Sequence, residues 1–166
     1  TTIQSNIANL QALRSSLSSS DVELAARHIA EARCCYVVGF RAAAGLSVIA
    51  SSAISQLCHN STQLTFEYGE TLDKLVNAGP SDVLLAFTFR RYSRRTLQIA
   101  RFARQAGVFV IGVTDTALSP LAECADMLLI AQVESPVYTY SLVAAHCLVE
   151  SLVLALTPSV GAARAD

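Results

Sequence analysis

The sequence predicts an α/β protein, a three-layer αβα sandwich around a five-stranded parallel sheet. Three observations predict it. Five short runs rich in strand formers recur along the chain, separated by helical patterns or a capped turn. The clearest run, Asp82 to Phe87, is apolar almost throughout rather than alternating, as strands covered on both faces are. The connections are too long for hairpins, which calls for crossovers between parallel strands.

At 166 residues the chain supports one well-cored domain, and no composition shift, internal repeat or low-complexity block suggests a second. A formal charge of −1 argues against a broad nucleic-acid-binding surface on this chain. The hydrophobic content of 52% suits a buried sheet and an oligomer interface. The longest uncharged span, 42–66, is broken by Ser51, Ser52, Ser55, Gln56, His59 and Asn60 and makes a poor bilayer crosser. No basic-then-apolar leader is present, so a cytoplasmic protein without a membrane partner is expected. Cys34, Cys35, Cys58, Cys124 and Cys147 form no C-x-x-C pair and meet no histidine at zinc spacing, so no metal or other cofactor is implied. They read as small buried apolar residues, with reactive chemistry at Cys34 or Cys35 as the alternative.

In chain order, Ile3, Ile7, Leu10, Leu13 and Leu17 mark one face of a first helix that the serines at 18–20 should end. It opens with no evident cap, as expected of a piece of a longer parent chain. Ser20 and Glu23 have capping-box spacing ahead of a second helix through Val22, Leu24, Ala25, Ile29 and Ala32, on which His28 reads as a surface or packing residue. Strand one is 34–39, and Gly39 permits a close backbone approach at its carboxyl end. Arg41 follows; it points into the same mouth as Arg90 if the two strands are neighbours, and is otherwise an exposed arginine. A small-residue helix runs through Ile49, Ala53, Ile54 and Leu57. No G-x-G-x-x-G accompanies it, so no dinucleotide is inferred.

Strand two is placed at 62–66, a helix at 71–77, and strand three at 82–87 after the Gly79-Pro80-Ser81 turn. A helix then carries Leu97, Ala100, Phe102, Ala103 and Ala106 until Gly107 stops it. Strand four is 108–113. Ser119-Pro120 gives an N-cap and a first-turn proline for a brief helix, and strand five is 127–131. The last helix follows Pro136 with Leu142, Val143, Ala145, Val149, Leu152, Val153 and Leu156 apolar. The tail, 158–166, is expected to be flexible.

The stretch 88–96, Thr-Phe-Arg-Arg-Tyr-Ser-Arg-Arg-Thr, is the leading candidate for a ligand site. It lies at the carboxyl end of a strand, where open α/β sheets bind ligands, and at a helix N-terminus, which suits an anion. Arg94 and Arg95 occupy a first turn where the helix dipole disfavours them by roughly 0.3–1 kcal/mol each. A phosphorylated or carboxylated small molecule would compensate, held by the hydroxyls of Thr88, Ser93 and Thr96, the open amides and the forks of Arg90 and Arg91. The alternative is that the arginines are solvated or paired with surface carboxylates.

The blocks Val37-Val38-Gly39-Phe40-Arg41, Asp82 to Phe89, Thr114-Asp115, Ser119-Pro120-Leu121-Ala122 and Ala125-Asp126 together resemble the SIS (sugar isomerase) domain, specifically the C-terminal effector domain of RpiR-type bacterial transcription regulators. The resemblance spans roughly 22–156 and implies a flavodoxin-like sandwich, with 1–18 a linker helix and 19–157 the SIS domain. Such proteins bind sugar phosphates through a Ser-x-Ser-Gly-x-Thr loop, which here falls on 88–93. Thr88 and Ser93 keep the outer hydroxyls, while Arg90 and Arg91 replace the inner serine and glycine. A further phosphate-binding serine of the family corresponds to Ala42 or Ala43. These departures shift the expectation toward a sugar acid or other carboxylate as well as a phosphosugar. The resemblance also implies a homodimer or tetramer, and DNA contact through an N-terminal helix-turn-helix domain absent from this chain.

An aldose–ketose isomerase is the alternative, and it needs a base to move a proton between adjacent carbons. Its candidates are Glu67, Glu70, Glu134 and His146. Glu134, just past strand five, either faces the cleft and a ligand or is a solvated loop carboxylate. None has a partner in sequence that would tune its pKa. A sensor therefore leads, the isomerase follows, and a purely structural oligomerisation domain is third.

Overall fold

The computed structural model describes residues 1–64 and 68–163, with side chains described at all of these except 68 and 158–163. Its strands are β1 (Cys35–Gly39), β2 (Ser61–Gln63), β3 (Val83–Phe87), β4 (Phe109–Thr114) and β5 (Met127–Ile130). They form one parallel sheet in the order β2-β1-β3-β4-β5. The helices are α1 (Thr2–Ser16), α2 (Ser19–Glu31), α3 (Ala43–Cys58), α4 (Tyr68–Leu75), α5 (Arg94–Gln105) and α6 (Val143–Ala163), with a 3-10 turn at Pro120–Glu123.

Strand alternation divides the core in two. Val37, Leu85, Phe87, Ile111, Val113 and Leu129 face one way and pack with α1, α2, α3 and α6. Val38, Leu84, Ala86 and Val110 face the other way and pack with Leu75 of α4, with Leu97, Ile99, Ala100 and Ala103 of α5, and with Leu121. Both faces of the sheet are covered, which is why its strands read as continuous apolar runs. The three-layer, five-stranded reading holds.

Several expected boundaries move. Thr1 caps α1 after all: its hydroxyl accepts from Gln4 N and Gln4 reaches back to the Thr1 amine, a capping box that a T-x-x-Q spacing encodes. Ser18, not Ser20, is the N-cap of α2, and its hydroxyl turns to the Ser20 hydroxyl at 2.6 Å instead of capping an amide. The buried stripe of α1 is also rotated from the apolar one. Asn9 and Leu13 are buried and Asn6 and Leu10 half-buried, whereas Ile3 and Ile7 are 71% and 49% exposed. Polar contacts to a distant loop, described below, set that rotation.

Strand two begins one residue earlier than expected, at Ser61, and ends at Gln63, and α4 begins earlier than 71; Thr65, Phe66 and Glu67 lie outside the described residues. At the other end the α6 backbone stays helical past Pro158 to Ala163, beyond the point at which the sequence placed a flexible tail. Gly107 ends the turn after α5 at φ +85°, as its place in the sequence required. Ser119 caps the 3-10 turn by accepting from Leu121 N. Asp126 accepts from Val110 N at 2.8 Å, so the Ala125-Asp126 block serves to tie β4 to the approach of β5. Of the cysteines, Cys35 and Cys124 are buried and the other three half-buried; burial pushes the Cys35 thiol far up, away from thiolate chemistry. His28 stacks on Phe109 with ring centroids 3.8 Å apart, a packing role.

Candidate functional site

The register of the two central strands builds the site. Gly39 of β1 pairs with Phe87 of β3, so the chain leaves both strands at the same level and the two following loops run side by side. Between them lies a cavity of about 440 Å³. Its floor and walls come from Phe40 to Ala43, from Thr88 to Arg91 with Ser93, and from the loop joining β5 to α6, chiefly Tyr138 and Tyr140. The condition placed on Arg41 is met: β1 and β3 are neighbours, and Arg41 and Arg90 line one cavity.

Gly39 does not line the cavity. It seats α3 instead. A Cβ there would stand 2.6 Å from the Ala43 carbonyl oxygen, so only glycine lets the first turn of α3 approach β1 this closely. The N-cap of α3 is Ala42, which offers no side-chain oxygen to the first-turn amides. Helix α5 is different. Ser93 accepts from Thr96 N, and the Ser93 amide donates to Thr88 Oγ1 at 2.9 Å, so the hydroxyls expected to hold a ligand cap this helix and its entry loop. Thr96 is fully buried and lies outside the cavity lining; its hydroxyl has no partner among the described residues.

The arginines divide by role. Arg90 is engaged on two sides: its Nε donates to Asp115 Oδ2 at 3.2 Å and its Nη2 to Glu134 Oε1 at 2.6 Å. Asp115 is buried and also accepts from Tyr92 Oη at 2.9 Å and Thr114 Oγ1 at 3.3 Å. Burial, aided by the bond to Asp115, pushes the Tyr92 phenol up to about 12, which keeps it a donor. Arg90 thus takes the paired alternative raised from the sequence while still forming a wall of the cavity. Arg91 donates to the Tyr138 hydroxyl at 3.1 Å and lies over its ring, 5.1 Å from the centroid, so its charge faces no carboxylate in these contacts. The Arg41 guanidinium has no hydrogen bond or ion pair among the described residues and lies close enough to Tyr140 to favour its phenolate, although burial is the stronger influence there and raises that phenol. Arg41 and Arg91 both adopt left-handed backbone, at φ 60° and 64°. Arg94 and Arg95 are exposed and outside the lining.

Glu134 stands at the rim, its neighbours Val133 and Ser135 in the lining and its carboxylate on Arg90. Beyond Glu134, the sequence assigned neither the β5–α6 loop nor Asp115 to the site. The available signal was the run Val137-Tyr138-Thr139-Tyr140, an aromatic, proline-preceded segment after a strand whose carboxyl end faces the same way. Of the remaining base candidates, Glu70 pairs with Lys74 on α4 at 2.8 Å and His146 faces Glu150 on α6 at 3.5 Å; neither lines the cavity. Glu67 lies outside the described residues.

Comparison with solved structures finds the same architecture in several proteins. The RpiR transcription factor from Sphaerobacter thermophilus, in its sugar isomerase domain, is 25% identical, with a TM-score of 0.91 over 98% of this chain and 92% of that one. NanR of Vibrio vulnificus, complexed with ManNAc-6P, is 18% identical with a TM-score of 0.83; the match covers 95% of this chain and 61% of NanR. A Methanococcus jannaschii protein with an inferred 3-hexulose-6-phosphate isomerase function is 14% identical at a TM-score of 0.67, covering 96% and 85% of the two chains. The last two likenesses show the fold alone. Comparison with curated proteins returns no match. The SIS domain family model matches residues 28–155, which include both central strands and the cavity between them, and the chain belongs to the SIS domain family.

Proposed function

We propose that this chain is the metabolite-sensing and oligomerisation domain of a bacterial RpiR-type transcription regulator, and that its cavity binds a phosphosugar or a sugar-acid-like anion. The observation that carries the reading is the pairing of Arg41 and Arg91. Two guanidinium groups without carboxylate partners among the described residues face one cavity of about 440 Å³, beside the N-terminus of α3, whose N-cap residue makes no side-chain bond. Forked donors and a helix dipole together suit a phosphate or carboxylate. The aromatic walls, Phe40, Phe89, Tyr138 and Tyr140, suit the apolar face of a sugar ring. The ManNAc-6P bound by NanR, whose fold is shared, supports the same ligand class.

On this reading the anion sits nearer α3 than the sequence placed it, because α5 caps its own first turn. Residues 1–18 serve as a linker to a DNA-binding helix-turn-helix domain outside this chain, the domain assembles as a homodimer or tetramer, and the regulator is cytoplasmic. Among the described residues no helix is long and apolar enough to cross a membrane. The isomerase alternative is disfavoured by the state of its best base: Glu134 is held on Arg90 and would have to leave it before accepting a proton.

A thermal-shift screen against sugar phosphates, sugar acids and related carboxylates tests the proposal, since a ligand that binds only the native state raises the unfolding temperature. Saturable stabilisation without proton exchange between ligand and solvent is expected. Proton exchange at a sugar carbon would instead make the domain an isomerase, and no response to any anion would leave a structural scaffold.

A further inference from the structure

Resting on that reading of the cavity, we infer that Glu134 links the engagement of Arg90 to the seating of helix α1, so that an anion drawing Arg90 away from Glu134 loosens α1. Glu134 touches both. Its carboxylate meets Arg90 Nη2 at 2.6 Å, and its backbone carbonyl accepts from Asn9 Nδ2 of α1 at 2.8 Å.

That carbonyl is one of few anchors of helix α1, which also packs Leu10 and Leu13 on the core. Only Asn9 and Leu13 of the helix are buried, and Asn9 is 1% exposed, so its amide has no access to water if the carbonyl moves. A second contact falls at the other foot of the same loop. Ser141 Oγ donates to Asn6 Oδ1 at 2.7 Å, and Ser141 N donates to Val133 O at 3.0 Å, closing the loop at its neck. The asparagines of one α1 face therefore grip both feet of the loop whose middle, from Ser135 to Tyr140, lines the cavity.

Of the two carboxylates on Arg90, Glu134 is the one that yields. The Asp115 side chain is 3% exposed and fixed by Tyr92 and Thr114 as well as by Arg90. The Glu134 side chain is 57% exposed and its carboxylate bonds only Arg90 among the described residues. An anion entering the cavity competes with an exposed carboxylate for Nη2, a weak contest for the incumbent compared with displacing a buried, multiply bonded one. The released Glu134 no longer pins its own carbonyl under Asn9.

Amide hydrogen exchange on the whole chain tests the linkage without any ligand. Arg90→Ala and Glu134→Gln should each raise exchange of the α1 amides about fivefold or more, approaching the effect of Asn9→Ala, while β3 and β4 amides keep their protection. Arg101→Ala, which removes a distant contact to Glu123, should leave α1 unchanged. Exchange at α1 that stays at the wild-type rate in Glu134→Gln, or in Asn9→Ala, would overturn the linkage. Inorganic phosphate at constant ionic strength is the second arm: it should speed α1 exchange in the wild type and lose that effect in Arg90→Ala. Variants that respond while phosphate does nothing would leave the linkage standing and count against the anion reading of the cavity instead.

Discussion

Arg41 and Arg91 hold left-handed backbone, a conformation costing a side-chain-bearing residue about 1–2 kcal/mol, and both line the same cavity. Strain retained at two cations facing one space points to use rather than packing. Arg41→Gly and Arg91→Gly should therefore leave stability unchanged or raise it by up to about 1 kcal/mol in urea denaturation, while weakening anion binding at least tenfold. A clear loss of stability in both variants would contradict the strain argument. Tyr92 offers a test of the Asp115 hub. Its folded phenol titrates near 12, above the ordinary 10.0, so the associated stability is complete below pH 10 and is lost as pH rises through 12. In Asp115→Asn the phenolate absorbance of Tyr92, isolated by difference from Tyr92→Phe, should appear at lower pH; an unmoved midpoint would show that burial alone sets it. The guanidinium cluster was legible in the sequence, but the fate of Arg90 was not, because its partners stand 25 and 44 positions away. Local reading ranks neighbours along the chain, and those carboxylates become neighbours only when β3, β4 and β5 align.

At the scale of elements, two short connections fix where a ligand can lie. Gly39 brings α3 down onto β1, and Gly39→Ala should cost about 1–3 kcal/mol because the α3 backbone must retreat from the new methyl group. Thermal or urea unfolding measures this, and a neutral outcome would mean that α3 has room to shift. Ser93→Ala, which removes the cap of α5, should cost about 1 kcal/mol. Strands and helices were legible because a sheet covered on both faces leaves uninterrupted apolar runs, as at Val83 to Phe87. The face of α1 was not. Its apolar periodicity pointed to Ile3 and Ile7, yet hydrogen bonds joining Asn6, as acceptor, and Asn9, as donor, to a loop more than a hundred residues away turned the helix about its axis. Hydrophobic spacing carries no record of such polar anchors.

For the molecule as a whole, the family and the layer order followed from the sequence, whereas the strand order that sets β1 beside β3 is a tertiary fact. That adjacency turns two separate arginine-bearing loops into one cavity, and the β5–α6 loop closes its third side. The most direct measurement of the central claim is calorimetric titration of glucose 6-phosphate, ManNAc-6P and gluconate, as a panel, into the wild type and the Arg41→Ala, Arg91→Ala double variant. The account predicts saturable binding of at least one of them, with affinity falling about a hundredfold or more in the folded double variant. Equal affinity in the two proteins, or no binding of any of the three to the wild type, would contradict it.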